Sequence, residues 1–312
     1  MITRKDKPAV FLLNQFALEM TNNFLCNTAN MSNVHGRAVF VTLDPEARDV
    51  LRHNWPNITQ FYWPTECLMK PFSFSQPAYQ VIYMLRATLA KALTKAGVSF
   101  WLMQQDTFWR RNLFELELTD NATFDVLFDQ IGYDDASLKA GIINGANMYV
   151  RATVASSELF GAVAEALYYL YVPDIAVMIH SCFTAENRLP GELKCAFIPH
   201  KLISSWEWFY SDWTEIPWLL QLDFEKEGKT KLEKMKELGL GFLNHDGHTC
   251  NYTRVAVAQN TVGDLRLNLS SNSWARWNFL LALKISDLLF RIPLIGPAFM
   301  KPYAAFLGFL LI

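Results

Sequence analysis

The first hundred residues alternate short apolar runs with segments of helical periodicity, and this alternation constrains the fold more than any other feature. Apolar runs at 9–14, 37–44, 58–63 and 98–103 predict strands, with helices between them. Repeated strand–helix units favour an α/β fold with a mostly parallel sheet covered by helices. The run at 98–103, VSFWLM, is continuously apolar, which predicts a central strand buried on both faces.

Local signals place the helices of this half. Asp44-Pro45-Glu46 combines an N-cap, a proline at the first helical position and an acid in the first turn, which predicts a helix that ends near Asn54. Residues 79–96 carry apolar side chains at helical spacing and stop before Gly97, a residue typical of helix ends.

The second half has a mixed pattern. Strands are predicted at 124–130, 142–150, 195–200, 218–223 and 239–243, and helices at 155–171 and 229–238. We therefore predict one domain over 8–255, formed by two abutting halves (8–110 and 111–255) that share one sheet, and a C-terminal apolar extension over 256–312.

Composition limits the class of protein and its partners. The chain is 51% hydrophobic and 19% charged, against a typical charged share of about 25%, so a long disordered tail is excluded. The net charge of −2 provides no broad basic field for a phosphate backbone, so we expect no nucleic-acid partner.

The compartment signals disagree. Cys182 and Cys195 flank a polar loop and are either a disulfide or two buried thiols. Five glycosylation sequons exceed the roughly two expected by chance and favour the Golgi or another secretory lumen; they begin at Asn30, Asn57, Asn121, Asn251 and Asn268. In contrast, the N-terminus shows neither a signal nor an anchor.

Polar residues at the ends of the predicted strands are the first candidates for a binding site, because ligands of open α/β sheets bind beyond the carboxyl ends of strands. Asp106 follows the buried 98–103 strand. It either faces a cation or a ribose and diphosphate, or caps the strand end. Arg86 lies mid-helix on an apolar face, where it either reaches a diphosphate or extends along the surface.

At these residues the sequence resembles the nucleotide-diphospho-sugar transferases, glycosyltransferases of GT-A fold whose plant and animal members move xylose or galactose from a UDP-sugar. The resemblance covers roughly residues 8–250. It rests on LLNQFALEMTNNFL with Asn14 and Asn23, FWLMQQDTFWRRNLF, INGANMYVRAT, Pro173-Asp174, and the stretch from Pro217 through Gly228 to Lys231.

The resemblance implies a metal site that this chain has altered. The family strand ends in Asp-x-Asp, and alignment on Trp109 puts Gln104 on the first Asp and Asp106 on the second. Where the family has His-x-Asn, this chain has Gln221-Leu222-Asp223. Gln104, Asp106, Gln221 and Asp223 are therefore the candidate metal ligands. Because neutral Gln is a weaker ligand than a carboxylate for Mn²⁺, we expect Mn²⁺ to improve donor binding only modestly.

Other positions match the family's sugar site. Asn14 is a candidate nucleotide-sugar-binding residue. Asn144 matches an Asn beside the donor sugar, and Gly145 allows a close backbone approach. Asp174 matches an acidic residue near the acceptor and is the candidate catalytic residue, although its Gln neighbour in the family is Ile175 here. Helix capping is the alternative role for Asp174.

Three further segments each have two interpretations. The aromatic run at 206–210, with Trp213 and Trp218, is either an acceptor-sugar platform or core. Residues 244–248, NHDGH, are either a metal site or a turn. An amphipathic helix from Trp274 to Pro293 either docks on the domain or lies on a membrane surface. The final charge-free run of eleven residues is too short to span a bilayer.

We therefore predict a hexosyl- or pentosyltransferase that uses a UDP-sugar donor to glycosylate a glycan or protein hydroxyl. The alternative is a weak or inactive relative that binds a glycan or a partner. A cytosolic α/β enzyme unrelated to glycans is the third hypothesis.

Overall fold

The computed structural model describes residues 7–72, 76–119, 123–135, 141–183, 193–211, 213–223 and 230–269, together with residues 281, 285 and 288.

A seven-stranded sheet forms the centre of the molecule. Its strands are β1 (Ala9–Leu13), β2 (Ala38–Thr42), β3 (Thr59–Tyr62), β4 (Phe100–Leu102), β6 (Val126–Gln130), β7 (Ile143–Val150) and β8 (Cys195–Phe197). They lie in the order β3-β2-β1-β4-β7-β6-β8. Neighbouring strands from β3 to β4 are parallel, β7 is antiparallel to β4 and β6, and β8 is parallel to β6. The predicted class, a GT-A-like mixed and mostly parallel sheet with flanking helices, is confirmed, and β4 is buried at its centre as expected.

Both halves share the large sheet, as predicted, because β6, β7 and β8 of the second half continue the sheet beyond β4 of the first. A second sheet of three strands, which was not predicted, forms beside it. It consists of β5 (Thr107–Trp109), β9 (Ile203–Ser205) and β10 (Leu219–Gln221), in the order β5-β10-β9. The chain leaves β4 at Gln104 and pairs again from Thr107, antiparallel to β10. The Asn27 side chain accepts from the Trp109 amide at 2.7 Å and so helps to hold β5 in its new position.

The predicted strand at 239–243 is also wrong. Gly239 has a positive φ of 74°, and the Asn23 side chain binds both the Leu240 carbonyl at 3.1 Å and the Phe242 amide at 2.7 Å. A side chain therefore satisfies backbone groups that a neighbouring strand would otherwise pair. Leu243 makes a single bridge, to Cys250.

Helices cover both faces of the large sheet, as the period-2 alternation of its strands requires. The helices are α1 (Leu18–Thr28), α2 (Val34–Arg37), α3 (Pro45–Asn54), α4 (Pro77–Lys95), α5 (Val154–Tyr169), α6 (Asp174–Phe183), α7 (Lys231–Glu237) and α8 (Tyr252–Leu269). In β1, Val10 packs in the core cluster that includes residues of α4 and α5, and Phe11 packs in the cluster that includes residues of α1 and α3.

The predicted helix ends of the first half are confirmed. The Asp44 side chain accepts from the Ala47 amide at 2.8 Å and also from the Gln15 amide at 2.7 Å. Asp44 therefore caps α3 and ties it to the end of β1. Gly97 follows α4 with a φ of 74°.

Two disulfides join distant or neighbouring parts of the described chain. Cys182–Cys195 was one of the two alternatives for that pair, and the structure forms it, with the Cα atoms 5.7 Å apart. Cys26–Cys250 was not predicted, because its members are 224 residues apart and no local pattern marks them. Cys67 is an exposed free thiol.

The helix α8 spans the domain boundary predicted at residue 255. It packs through Val255, Ala258 and Val262 in the core cluster beside the small sheet. Of the predicted amphipathic helix, only Leu281, Ile285 and Leu288 are described, and they are helical and exposed. The rest of that helix and the tail beyond Pro293 lie outside the described residues. None of the described helices has both the length and the apolar character needed to cross a membrane.

Candidate functional site

A cavity of about 440 Å³ opens at the carboxyl ends of β1, β2 and β4 and is bordered by α4 and α7. Its volume is within the range of small-ligand sites, roughly 300–1,000 Å³. The cavity brings together many of the predicted residues, and its polar lining includes Asn14, Arg86, Gln104, Asp106 and Lys231.

Asp106 is the best-anchored of these residues. Its Oδ2 accepts from the Lys231 ammonium at 2.5 Å, and its Oδ1 accepts from the Gln221 amide at 2.9 Å. Burial raises the pKa of Asp106, but Lys231 and Gln221 outweigh burial and hold this pKa below its ordinary value. Asp106 therefore stays ionised at neutral pH, and the cation that it faces is the Lys231 side chain. Its predicted role toward a cation or a ribose and diphosphate in the crevice stays a prediction.

Lys231 is the first residue of α7, and the structure of this helix end fixes it there. The Thr230 side chain accepts from the Glu233 amide at 3.2 Å, and Glu233 accepts from the Thr230 amide at 2.6 Å. This capping box defines where α7 begins. An ammonium at a helix N-terminus opposes the helix dipole. Burial lowers the pKa of Lys231, and Asp106 and Asp223 more than compensate, so this pKa is raised.

Gln221 connects the two sheets through a buried polar chain. Its Oε1 accepts from the Asn147 side chain at 2.9 Å, and the same Asn147 amide donates to Asp129 Oδ2 at 2.9 Å. Asp129 also accepts from the Gly145 and Asn147 backbone amides, both at 2.9 Å. Asp129 and Asn147 were not predicted. Both belong to strands that read as core, and only the paired register of β6 and β7 shows that they meet.

Gln104 lies between Arg86 and Asp106. In the amide orientation that satisfies both neighbours, its oxygen accepts from Arg86 Nη1 at 3.0 Å and its nitrogen donates to Asp106 Oδ1 at 3.2 Å. Gln104 therefore bridges the Arg86 guanidinium and the Asp106 carboxylate by hydrogen bonds.

Arg86 is buried, so the surface alternative for it is wrong. Its Nε lies 3.4 Å from Asp174 Oδ2, and its guanidinium donates to the Gly145 carbonyl. Asp174 begins α6 and accepts from the Ile175 amide at 3.0 Å. Burial raises the pKa of Asp174, and Arg86 opposes this effect. Asp174, the predicted catalytic residue, is not among the cavity-lining residues and instead holds Arg86.

The remaining candidates differ in position. Asn14 lines the cavity, and its side chain donates to the Leu68 carbonyl at 3.4 Å. Asn144 is not among the lining residues, whereas the carbonyl of the adjacent Gly145 contacts Arg86. Asp223 follows β10, and its Oδ1 is buried with no hydrogen-bond partner in the described structure. Burial raises the pKa of Asp223 to about 6, and Lys231 opposes this shift.

This arrangement does not fit a divalent metal. The described residues contain no group of three or more His, Cys, Asp or Glu side chains able to hold one. Among the predicted ligands, the oxygens of Gln104 and Gln221 are directed to Arg86 and Asn147, and their nitrogens are directed to Asp106. The ammonium of Lys231 already binds the carboxylate of Asp106.

Two other predicted constellations are structural. Trp208 and Phe209 are buried in the core cluster beside the small sheet, which agrees with the core interpretation of the aromatic run. In the segment 244–248, Asp246 accepts from the amides of His248 at 2.8 Å and Thr249 at 2.9 Å. These bonds close a turn, which was the alternative to a metal site.

Several solved glycosyltransferase structures are similar to this chain. A search of curated proteins found no match. Mouse xyloside xylosyltransferase 1 in its apo form is 12% identical, with 70% of this chain and 98% of that chain covered and a TM-score of 0.46. The galactosyltransferase LgtC in complex with donor and acceptor sugar analogues is 11% identical, with coverages of 81% and 95% and a TM-score of 0.46. The bifunctional glycosyltransferase WbbM is 10% identical, with 70% of this chain and 46% of that chain covered and a TM-score of 0.44. The match therefore spans less than half of the WbbM chain.

A match to a protein-family model identifies the family of this chain. The model for nucleotide-diphospho-sugar transferases matches residues 33–235, which is more than half of the chain and includes every predicted site residue except Asn14. The chain therefore belongs to the nucleotide-diphospho-sugar transferase family and is by class a glycosyltransferase.

Proposed function

We propose that this protein binds a UDP-sugar in the cavity at the carboxyl ends of β1, β2 and β4 and transfers the sugar to a hydroxyl of a glycan or protein. One observation carries the proposal: two side-chain cations, Arg86 and Lys231, line a cavity of about 440 Å³ at the strand ends of a nucleotide-diphospho-sugar transferase. A leaving nucleoside diphosphate is an anion, and fixed cations in a sheltered site stabilise the charge that develops on it.

The aromatic wall of the cavity supports a sugar or base as the second part of the ligand. Phe72, Tyr79 and Tyr83 line one side, with the rings of Tyr79 and Tyr83 edge to face at 5.2 Å. Aromatic faces provide apolar contact area, and the two tyrosines each add a hydroxyl that is able to form a hydrogen bond. The cavity therefore offers cations for a diphosphate and aromatic rings for the groups on either side of it.

Titration of UDP, ADP, GDP and CDP by calorimetry, followed by a UDP-release assay with a panel of UDP-sugars, tests this function. We expect UDP to bind most tightly and at least one UDP-sugar to release UDP when an acceptor is added. Tyr83→Ala should weaken UDP-sugar binding about fivefold or more. Tyr168→Ala, which changes an exposed residue on α5 that does not line the cavity, is the matched control. Equal binding of all four nucleotides, or of none, would contradict the proposal.

A second function, that of a binding module without turnover, is favoured by one observation. The family resemblance placed Asp174 near the acceptor. In the structure Asp174 does not line the cavity and is instead paired with Arg86. A protein that binds UDP-sugars in the calorimeter but releases no UDP with any acceptor would be this module.

We also propose that the protein works in the Golgi or another secretory lumen. Two disulfides and two exposed sequon residues, Asn30 and Asn57, support this compartment. Expression behind a supplied signal in secretory cells should give a mass that endoglycosidase lowers. Unmodified sequons in that experiment would count against a lumenal site of action.

We further propose that the C-terminal segment contacts a membrane surface. Leu281, Ile285 and Leu288 are spaced along one helical face and are exposed. Flotation with anionic lipid vesicles should recover the wild type, and a variant with Ser at all three positions should stay in the soluble fraction. Equal flotation of both proteins would contradict this contact.

A further inference from the structure

We infer that the ammonium of Lys231 takes the place of a divalent cation, so that this protein binds the diphosphate of its donor without a metal. The inference rests on the proposed function and adds the identity of the cation that meets the diphosphate.

The contacts of Asp106 leave little of the carboxylate for a metal. Oδ2 is held by Lys231 at 2.5 Å, and Oδ1 is held by Gln221 at 2.9 Å and by Gln104 at 3.2 Å. A divalent ion on Asp106 would have to displace one of these donors or use the remaining lone pair of Oδ2, beside the Lys231 ammonium. It would then lie a few Å from a positive ammonium in a poorly solvated site, where like charges repel strongly.

The two Gln residues behave as hydrogen-bond donors toward Asp106 and not as ligands. Gln221 is fully buried, and its oxygen is directed to Asn147, which is itself held by Asp129. Rotation of the Gln221 amide would place its oxygen against the Asp106 carboxylate and its nitrogen against a donor. The buried chain therefore fixes the orientation in which nitrogen faces the carboxylate.

The charges of the site agree with this assignment. The family motif places two carboxylates beside the metal. In this chain Gln104 replaces one of them, and the remaining one, Asp106, is paired with Lys231. A divalent ion would therefore meet one carboxylate of the motif in place of two, together with a neighbouring ammonium that repels it.

Lys231 retains capacity for a ligand. Its side chain is 35% exposed and lines the cavity, whereas that of Asp106 is 9% exposed behind it. An ammonium has three N–H donors, and Asp106 uses one of them. The capping box at Thr230 and the buried Leu232 and Met235 hold the start of α7 in place, so the ammonium is already positioned before a ligand arrives.

Calorimetric titration with UDP, in EDTA and separately in MnCl₂, tests the inference. The wild type should bind UDP with the same affinity in both buffers, within about twofold. Lys231→Met should weaken binding at least tenfold in both buffers, and Lys231→Arg, which keeps the charge, should retain most of the affinity. Lys234→Met is the matched control, since it makes the same charge change on α7 at a residue that does not line the cavity.

A second variant guards against a folding defect, because Lys231→Met leaves the buried Asp106 carboxylate without its cation. The double variant Lys231→Met with Asp106→Asn removes both charges, and we expect it to fold and still to lose UDP binding at least tenfold. Undiminished UDP binding by this double variant would overturn the inference. So would a wild type that binds UDP only with Mn²⁺, although the proposed function would then stand. A wild type that binds no UDP in either buffer would overturn both.

Discussion

Arg86 illustrates how strongly a single buried charge depends on its partner. Its side chain and that of Asp174 are only 7% and 3% exposed. Removal of one member of a buried ion pair leaves an uncompensated charge and costs roughly 3–5 kcal/mol, whereas joint replacement by neutral groups costs much less. The pair is therefore a condition for the local fold as well as for the electrostatics of the cavity.

We expect Arg86→Met to lower the free energy of unfolding by about 3–5 kcal/mol and the double variant Arg86→Met with Asp174→Asn to recover part of the loss. Urea unfolding of the two single variants and the double variant measures the coupling. Arg48→Met is the contrast, because its pair with Asp49 is on the surface, and little change is expected there. Additive losses at Arg86 and Asp174 would contradict the pairing.

Asp129 gives the protein a defined dependence on pH. Burial raises its pKa from the ordinary value of 3.8 to about 7, although Asn147 and Gly145 donate to it. Between these values the folded state holds a proton that the unfolded state has lost. Unfolding therefore releases a proton, and the free energy of unfolding falls as pH rises from about 4 to about 7. Asp223 and Asp174, whose pKa values are also raised, act in the same direction.

The wild type should accordingly be more stable at pH 5 than at pH 8, and Asp129→Asn should flatten the dependence by an amount on the order of a few kcal/mol. Urea unfolding at pH 5, 6, 7 and 8 provides the measurement. Asp264→Asn, a change at an exposed residue of α8, should leave the slope unchanged. A stability that increases over this pH range would refute the assignment.

At the residue scale, local sequence signals identify single functional residues better than they identify the residues that contact them. Gln104 and Asp106 could be found because they follow a buried strand, and Asp44 because its cap is local. The partner of Asp106 is 125 residues away and the partner of Gln221 is 74 residues away. Such pairings depend on the tertiary path of the chain, which no local pattern encodes.

At the scale of elements, Gly145 sets how closely β7 and α6 approach. It has a φ of 77°, and a Cβ built there would overlap the Cγ2 of Ile175. Its carbonyl accepts from Arg86 and its amide donates to Asp129. The predicted close backbone approach at this glycine is therefore a contact between a strand and a helix, and it places two polar networks side by side.

We expect Gly145→Ala to lower the free energy of unfolding by about 2 kcal/mol or more, from strained backbone plus overlap. Gly97→Ala separates the two causes, because Gly97 has a φ of 74° and nothing within 4 Å of its position for a Cβ. That variant should lose only the backbone part, about 1 kcal/mol. Adding Ile175→Ala to Gly145→Ala should remove the overlap and recover the part of the free energy of unfolding by which Gly145→Ala loses more than Gly97→Ala. Equal losses at Gly97 and Gly145 would show that overlap plays no part.

Elements with a strong local signal could be predicted, and those defined by a side-chain contact could not. The run at 98–103 and the caps of α3 and α4 fixed their positions closely. The strand predicted at 239–243 failed because Asn23, more than 200 residues earlier, satisfies its backbone. β5 and β9 were missed because neither belongs to an apolar run: β5 is Thr-Phe-Trp between polar residues, and β9 is Ile-Ser-Ser. The equally short β4 lies within the apolar run 98–103, which marked it.

On the scale of the whole molecule, the site lies where the two sheets meet. Asp106 leaves β4 of the large sheet and is held by Gln221 from β10 of the small sheet, and Asn147 from β7 closes the connection. The separation into two sheets, which the sequence did not predict, is what brings Gln221 to Asp106. The geometry of the site is therefore a property of the packing between sheets and not of either sheet alone.

The Cys26–Cys250 disulfide should stabilise this assembly more than Cys182–Cys195 does. It joins α1 to the segment before α8 across 224 residues, whereas the other joins residues 13 apart. In the chain-entropy model these closures contribute about 5 and about 3 kcal/mol. We expect the Cys26→Ser/Cys250→Ser variant to lose more free energy of unfolding in urea than the Cys182→Ser/Cys195→Ser variant, and Cys67→Ser to lose little. Alkylation of the native, unreduced protein should label Cys67 alone. Labelling of Cys26 and Cys250, or a greater loss from the shorter closure, would show that the long closure does not hold the two ends of the chain together.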